Sequence, residues 1–182
     1  MGLSHHPSAR LRAEYCIGDV APGTALAIAA HVTACESCAG LIRESPAGPE
    51  TLWRPDAEGC GTLTSRLPPL LREIARTRWR KVSDDVSICS LRGVNGLGEA
   101  VCLLRAAPGA NIILPGHVEI ILGVSGRASA PCGVLDPGDL IEIDSPVQGL
   151  ADPSNGLLAL VIGDDELYRG LAQSLAEPDV SS

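Results

Sequence analysis

The chain has 182 residues, 45% of them hydrophobic and 20% charged, with a net charge of −8. That apolar share is too large for a disordered chain, and at roughly 150 residues per domain the length fits one domain or two small ones. No apolar run approaches the ~18 residues a membrane span requires, and the apolar stretch in residues 1–12 is too short for a signal peptide. The expectation is a soluble, cytoplasmic protein with no membrane contact.

Aromatic residues make up 2% of the chain: Tyr15, Trp53, Trp79 and Tyr168, with no Phe. Proteins that hold single strands stack bases on aromatic side chains, and an acidic surface repels phosphates. Direct nucleic-acid binding is therefore disfavoured. A basic, nucleic-acid-binding protein fits the charge better as a partner.

In chain order, Pro7 opens a helix that runs through Leu11 and Tyr15 and stops at Gly18, with proline first and glycine last. Pro22 and Thr24 precede the alanine-rich ALAIAAHV, where Leu26, Ala29, Ala30 and Thr33 recur at helical spacing. A third short helix is expected over residues 36–43, with Leu41 and Ile42 facing inward. Pro46, Gly48 and Pro49 break that pattern, and residues 45–66 read as a linker with at most one helical turn near Trp53. A short helix, LLREIARTR, then leads into six runs rich in Val, Ile and Leu: VSICSL, AVCLLRA, NIIL, VEIILGV, LIEI and LLALVI. Gly, Pro, Asn or Asp bound them, which predicts six to eight short strands in a β-sandwich or small barrel. Leu167, Leu171 and Leu175 mark a final amphipathic helix.

The seven cysteines are Cys16, Cys35, Cys38, Cys60, Cys89, Cys102 and Cys132. An odd number at irregular spacing speaks for a metal site or core thiols rather than a disulfide framework. Cys89 and Cys102 lie inside apolar runs and read as buried small hydrophobes. Cys35 and Cys38 belong with His31 to an H-x3-C-x2-C array, HVTACESC. His31 and Cys35 stand one helical turn apart on one face, and Cys38 falls at the opening of the third helix, where free N–H groups favour a thiolate. Zinc takes four such ligands in a tetrahedron. His5 and His6 are the two candidates for the fourth position, and His6, nearer the first helix, is preferred.

SHHPSARLRAEYCIG, the alanine-rich helix and HVTACESC together resemble the zinc-binding anti-sigma factors of the ChrR type. In that family a His ahead of the first helix joins the H-x3-C-x2-C array to bind one zinc, so the resemblance implies His6, His31, Cys35 and Cys38 as ligands. It covers residues 1–44 and continues where RTRWRKV and the short strands are similar to the cupin domain such proteins append. The implied architecture is α+β. A zinc-stapled helical anti-sigma domain (1–44) is followed by a linker (45–66), a cupin-like β-barrel or double-stranded β-helix (67–164), and a C-terminal helix and tail (165–182). The implied function is sequestration of an extracytoplasmic-function sigma factor, released by a stress signal, with no enzymatic activity.

The first helix would then offer Leu11 and Tyr15 to a groove on the partner, and the acidic balance would speed encounter with a basic sigma factor. A metal-binding cupin carries two His and a Glu on one strand and a further His later. Here His117 and Glu119 stand two apart, which on a strand puts them on one side, but no His follows His117. They read as a vestigial site. Asp136, Asp139, Glu142 and Asp144 read as turn and solvated-face carboxylates. The alternative function is a cupin-type small-molecule binder or metal-dependent enzyme with a zinc-stapled appendage, against which the missing histidines count. A flat strand edge in the cupin domain would allow homodimers.

Overall fold

The computed structural model describes residues 3–45, 79–91, 98–143, 148–151 and 153–174. The linker expected at 45–66, apart from Ser45, and the helix expected in LLREIARTR lie outside these residues, as do Cys60, Asp144 and Leu175.

Three helices come first. α1 (Ala9–Ile17) starts where the Ser8 hydroxyl accepts the Leu11 N–H at 3.1 Å. It ends at Gly18, whose φ of 76° only glycine adopts without strain. α2 (Pro22–Ala34) has proline in its first turn, but its own N-cap residue, Ala21, supplies no side-chain acceptor. The Glu99 carboxylate reaches across from the β-domain instead, accepting from Gly23 N at 2.8 Å, Thr24 N at 3.0 Å and Thr24 Oγ1 at 2.7 Å. Cys35 closes α2 and opens α3 (Glu36–Arg43) in the same residue.

Ten strands follow among the described residues: β1 (Arg80–Lys81), β2 (Val86–Ser90), β3 (Ala100–Ala106), β4 (Ile112–Leu114), β5 (Val118–Gly126), β6 (Ala128–Ala130), β7 (Gly133–Leu135), β8 (Leu140–Glu142), β9 (Gln148–Leu150) and β10 (Leu157–Gly163). They include all six runs marked in the sequence. Six form one antiparallel sheet in the order β1-β2-β3-β10-β5-β8. β4 pairs with β9 and β6 with β7, and a bridge between Ser129 and Ala151 links these two pairs into the opposing layer. Of the expected sandwich or small barrel, the described residues form the open, two-layer version, with no closed barrel. The strands of the opposing layer are three residues each, and they meet the large sheet through side chains rather than a continuous ladder.

Both faces of the large sheet are apolar, which is why its strands read as unbroken hydrophobic runs rather than alternating ones. Cys102, Leu104, Ile121 and Val161 point inward and pack with Ile112, Leu135 and Leu150 from the opposing layer. Val101, Leu103, Leu122 and Leu160 point outward and are covered by Tyr15, Ala27, Ile28 and Ile42 of the three helices. Cys89 and Cys102 are fully buried, as their apolar surroundings imply. α4 (Leu167–Ser174) closes one end of the inner core with Leu167 and Leu171. In α3 Ile42 packs into the core under the sheet, at 5% exposure; Leu41, expected to face inward, is 51% exposed. Adjacent residues point roughly 100° apart on a helix of 3.6 residues per turn, and the sheet meets only one of the two directions.

Candidate metal centre

His6, His31, Cys35 and Cys38 each bring one ligand atom to a common point, all within 4.8 Å of one another. His6 comes from the strap ahead of α1, His31 from the last turns of α2, Cys35 from the α2–α3 junction and Cys38 from the first turn of α3. The His6 Nδ1 lies 3.4 Å from the Cys35 sulfur and 3.5 Å from the Cys38 sulfur. A tetrahedral zinc with sulfur at ~2.3 Å and nitrogen at ~2.0–2.1 Å would separate N and S by about 3.6 Å. The Cys38 N–H points at the Cys35 sulfur, 3.5 Å away, as helix-opening geometry dictates.

The imidazole of His31 is the most informative group. It is fully buried, and its Nδ1 lies 2.7 Å from the carbonyl oxygen of Gly138. A carbonyl can only accept, so Nδ1 carries the hydrogen and Nε2 presents a lone pair. That Nε2 is buried without any hydrogen-bond partner. A buried acceptor left unpaired costs about 1–3 kcal/mol, and a cation held by the neighbouring thiols would supply the missing partner. Burial lowers the His31 pKa, outweighing the Gly138 contact, and so favours the neutral form a metal needs. Burial, aided by the neighbouring Cys35, pushes the Cys38 thiol up to about 11, while the Arg12 guanidinium beside it acts the other way. The donor set, two imidazoles and two thiols, suits a borderline-soft divalent ion.

His5 turns away from this cluster. Its Nε2 lies 3.2 Å from the Cys132 carbonyl oxygen, and its Nδ1 3.5 Å from Asp139. Tyr15 is 5% exposed and packs between the helices and the sheet, so it is not offered on the surface of α1; Leu11 is half-buried beside it. The reason is the sheet's apolar outer face, which claims the residues of α1 that a free helix would present. His117 and Glu119 do not converge. His117 pairs with Asp164 at 2.9 Å, which holds the Asp164 carboxyl below its usual range. Glu119 is exposed along a groove lined by Glu14 and Glu142. A register shift between β10 and β5 at this end of the strand separates them.

Asp139, read as a solvated turn carboxylate, is fully buried. Burial raises its pKa, but N–H groups of Asp136, His5 and Ser4 aimed at it outweigh that and hold it below the usual range. The sequence marked the Asp-Pro-Gly-Asp turn but carried no signal of its long-range partners. Glu99 was not singled out at all, since a carboxylate capping a helix 75 residues away leaves no local pattern. Among the described residues, no single helix is long and apolar enough to cross a membrane.

No family model and no curated protein matches the chain. Solved structures do. The chain shares its fold with a chain of the crystal structure of Rhodobacter sphaeroides SigE in complex with the anti-sigma ChrR: TM-score 0.64, 20% identity, covering 89% of this chain and 100% of that one. An ectoine synthase from P. lautus overlaps at TM-score 0.44 and 17% identity over 62% of this chain and 93% of that one. KdgF from Halomonas sp. overlaps at TM-score 0.43 and 14% identity over 50% and 89%. Likeness at those two scores carries no argument. What the two chains share is the fold: leading helices followed by an antiparallel β-domain.

Proposed function

We propose that this protein is an anti-sigma factor of the ChrR type. Its helices, held by one zinc on His6, His31, Cys35 and Cys38, would sequester an extracytoplasmic-function sigma factor in the cytoplasm until a stress signal releases it. The observation that carries the metal half of this reading is the unpartnered, buried Nε2 of His31 aimed at two thiols and a second imidazole. The partner half rests on the shared fold with a chain of the SigE–ChrR complex. The helices alone are short for stable packing, and a metal is the usual staple for such a module.

In this reading the β-domain is a scaffold or sensor, and the protein is no enzyme. The inner core, where a barrel enzyme would place its metal ligands, is filled by apolar side chains such as Leu104, Ile121 and Leu135. The test is co-expression with a cognate sigma factor, followed by size-exclusion chromatography and metal analysis. We expect a stable complex with one zinc per chain, and loss of both zinc and partner in Cys35→Ser. Full zinc occupancy in that variant, or no complex with any extracytoplasmic-function sigma factor tested, would overturn it.

A further inference from the structure

The two imidazoles of the metal centre arrive on different elements, His6 on the strap and His31 on α2, yet both are set in place by two consecutive residues of the β7–β8 turn. The carbonyl oxygen of Gly138 fixes the tautomer and direction of His31 at 2.7 Å. The next residue, Asp139, receives the N–H groups of Ser4 and His5 on one oxygen, at 2.9 and 3.0 Å. Its other oxygen accepts from Asp136 N at 2.9 Å, which braces the turn itself. The backbone of His5 is gripped on its far side too, where its carbonyl accepts from Leu140 N at 3.3 Å. His6 follows directly in the chain, so its position is inherited from this grip. The turn has no room to slide. Gly138 has a φ of +98°, and a Cβ there would lie 2.9 Å from the Cβ of Ala34 at the end of α2.

We propose that Gly138 and Asp139 are the outer support of the metal centre, positioning both imidazole ligands from the β-domain. The inference rests on the metal reading above and adds to it a coupling between the two parts of the molecule. Outer partners of metal-bound histidines set ring direction and ligand basicity, and losing one weakens metal binding. A movement of the β7–β8 turn therefore acts on His6 and His31 together. Reciprocally, removing the metal frees the strap to leave the turn, since linkage acts in both directions.

The test uses the full chain, loaded with zinc and, separately, with cobalt as a spectroscopic substitute. Wild type, Asp139→Asn and Asp139→Ala are challenged with a chromophoric chelator. We expect Asp139→Ala to surrender zinc about 10–100-fold faster and to show altered visible cobalt bands. Asp139→Asn should fall between, because it keeps one acceptor oxygen for Ser4 and His5. A folded Asp139→Ala with wild-type release rate and wild-type bands overturns the inference, even if it melts earlier, because a purely structural role would move only the melting. Should neither variant fold, hydrogen exchange on wild type decides. Removing zinc should deprotect the Ser4, His5, Asp136 and Leu140 amides more than those of the β3–β10 ladder. Unchanged protection at the turn overturns the inference. A wild-type chain that takes up neither zinc nor cobalt defeats the metal reading first, and is a separate result.

Discussion

The carboxylate of Glu99, just before β3, caps α2 by accepting from the Thr24 N–H at 3.0 Å and the Thr24 hydroxyl at 2.7 Å. One buried side chain thus does the work of a missing N-cap and ties the helices to the sheet. Removing it leaves the first turn of α2 with unpaired donors in a dry setting. Glu99→Ala should cost about 1–3 kcal/mol of unfolding free energy. Denaturant titration of zinc-loaded protein checks this. A change below about 0.5 kcal/mol, the noise typical of a surface substitution, would show that Glu99 is no cap.

Gly23 makes the same junction from the other side. A Cβ placed there would lie 2.2 Å from Val101 Cγ2 and 2.8 Å from Glu99 Oε2. Alanine normally favours a helix interior, so in an isolated α2 the change Gly23→Ala would stabilise. In the intact chain it should instead destabilise by about 1–3 kcal/mol, because the helix must lift from the sheet. The sign of the change, read from thermal unfolding, tells docked helices from undocked ones.

Much of this architecture was legible in the sequence, and the limits were physical. Proline and glycine punctuation located α1 and α2 because caps are local, and the strand runs stood out because both faces of the large sheet are buried. Three members of the candidate cluster were readable because H-x3-C-x2-C joins a helix end to the next helix start, both short-range features, whereas His6 rested on preference over His5 and on the family resemblance. Asp139 and Glu99 were not readable, since their partners lie 134 to 135 and 75 to 76 residues away. Leu41 is exposed where an inward face is expected, and Tyr15 is buried where an outward one is, for one shared reason. Which side of an amphipathic helix is covered depends on the sheet it meets, and that sheet lies far along the chain.

Metal uptake should release protons. With its pKa pushed up to about 11, the Cys38 thiol of the metal-free protein is protonated at neutral pH. A metal binds the thiolate, so it must expel that proton, and lowering the pH must weaken binding by mass action. Calorimetric titration of reduced, metal-free protein with zinc, in buffers of different ionisation enthalpy near pH 7, should give at least one proton released per metal. An apparent enthalpy independent of buffer would rule out thiolate ligation at Cys38.

Exposed apolar groups separate partner contact from folding. Leu41 is 51% exposed on a groove of about 270 Å³ between α1 and α3, shared with Arg12, Ala13 and Cys16, and Ile17 is 66% exposed at the end of α1. Tyr15 is buried against the sheet. Leu41→Asp should leave stability within about 0.5 kcal/mol of wild type, as surface substitutions do, while weakening the sigma-factor complex at least tenfold. Tyr15→Ala should cost about 3–5 kcal/mol, the range for deleting a buried aromatic side chain. Any loss of binding it causes should then track unfolding, and recover where the variant is folded. Paired measurement of unfolding and complex formation checks both variants. If Leu41→Asp binds as wild type does while a stably folded Tyr15→Ala does not, the partner must engage a rearranged α1, released from the sheet.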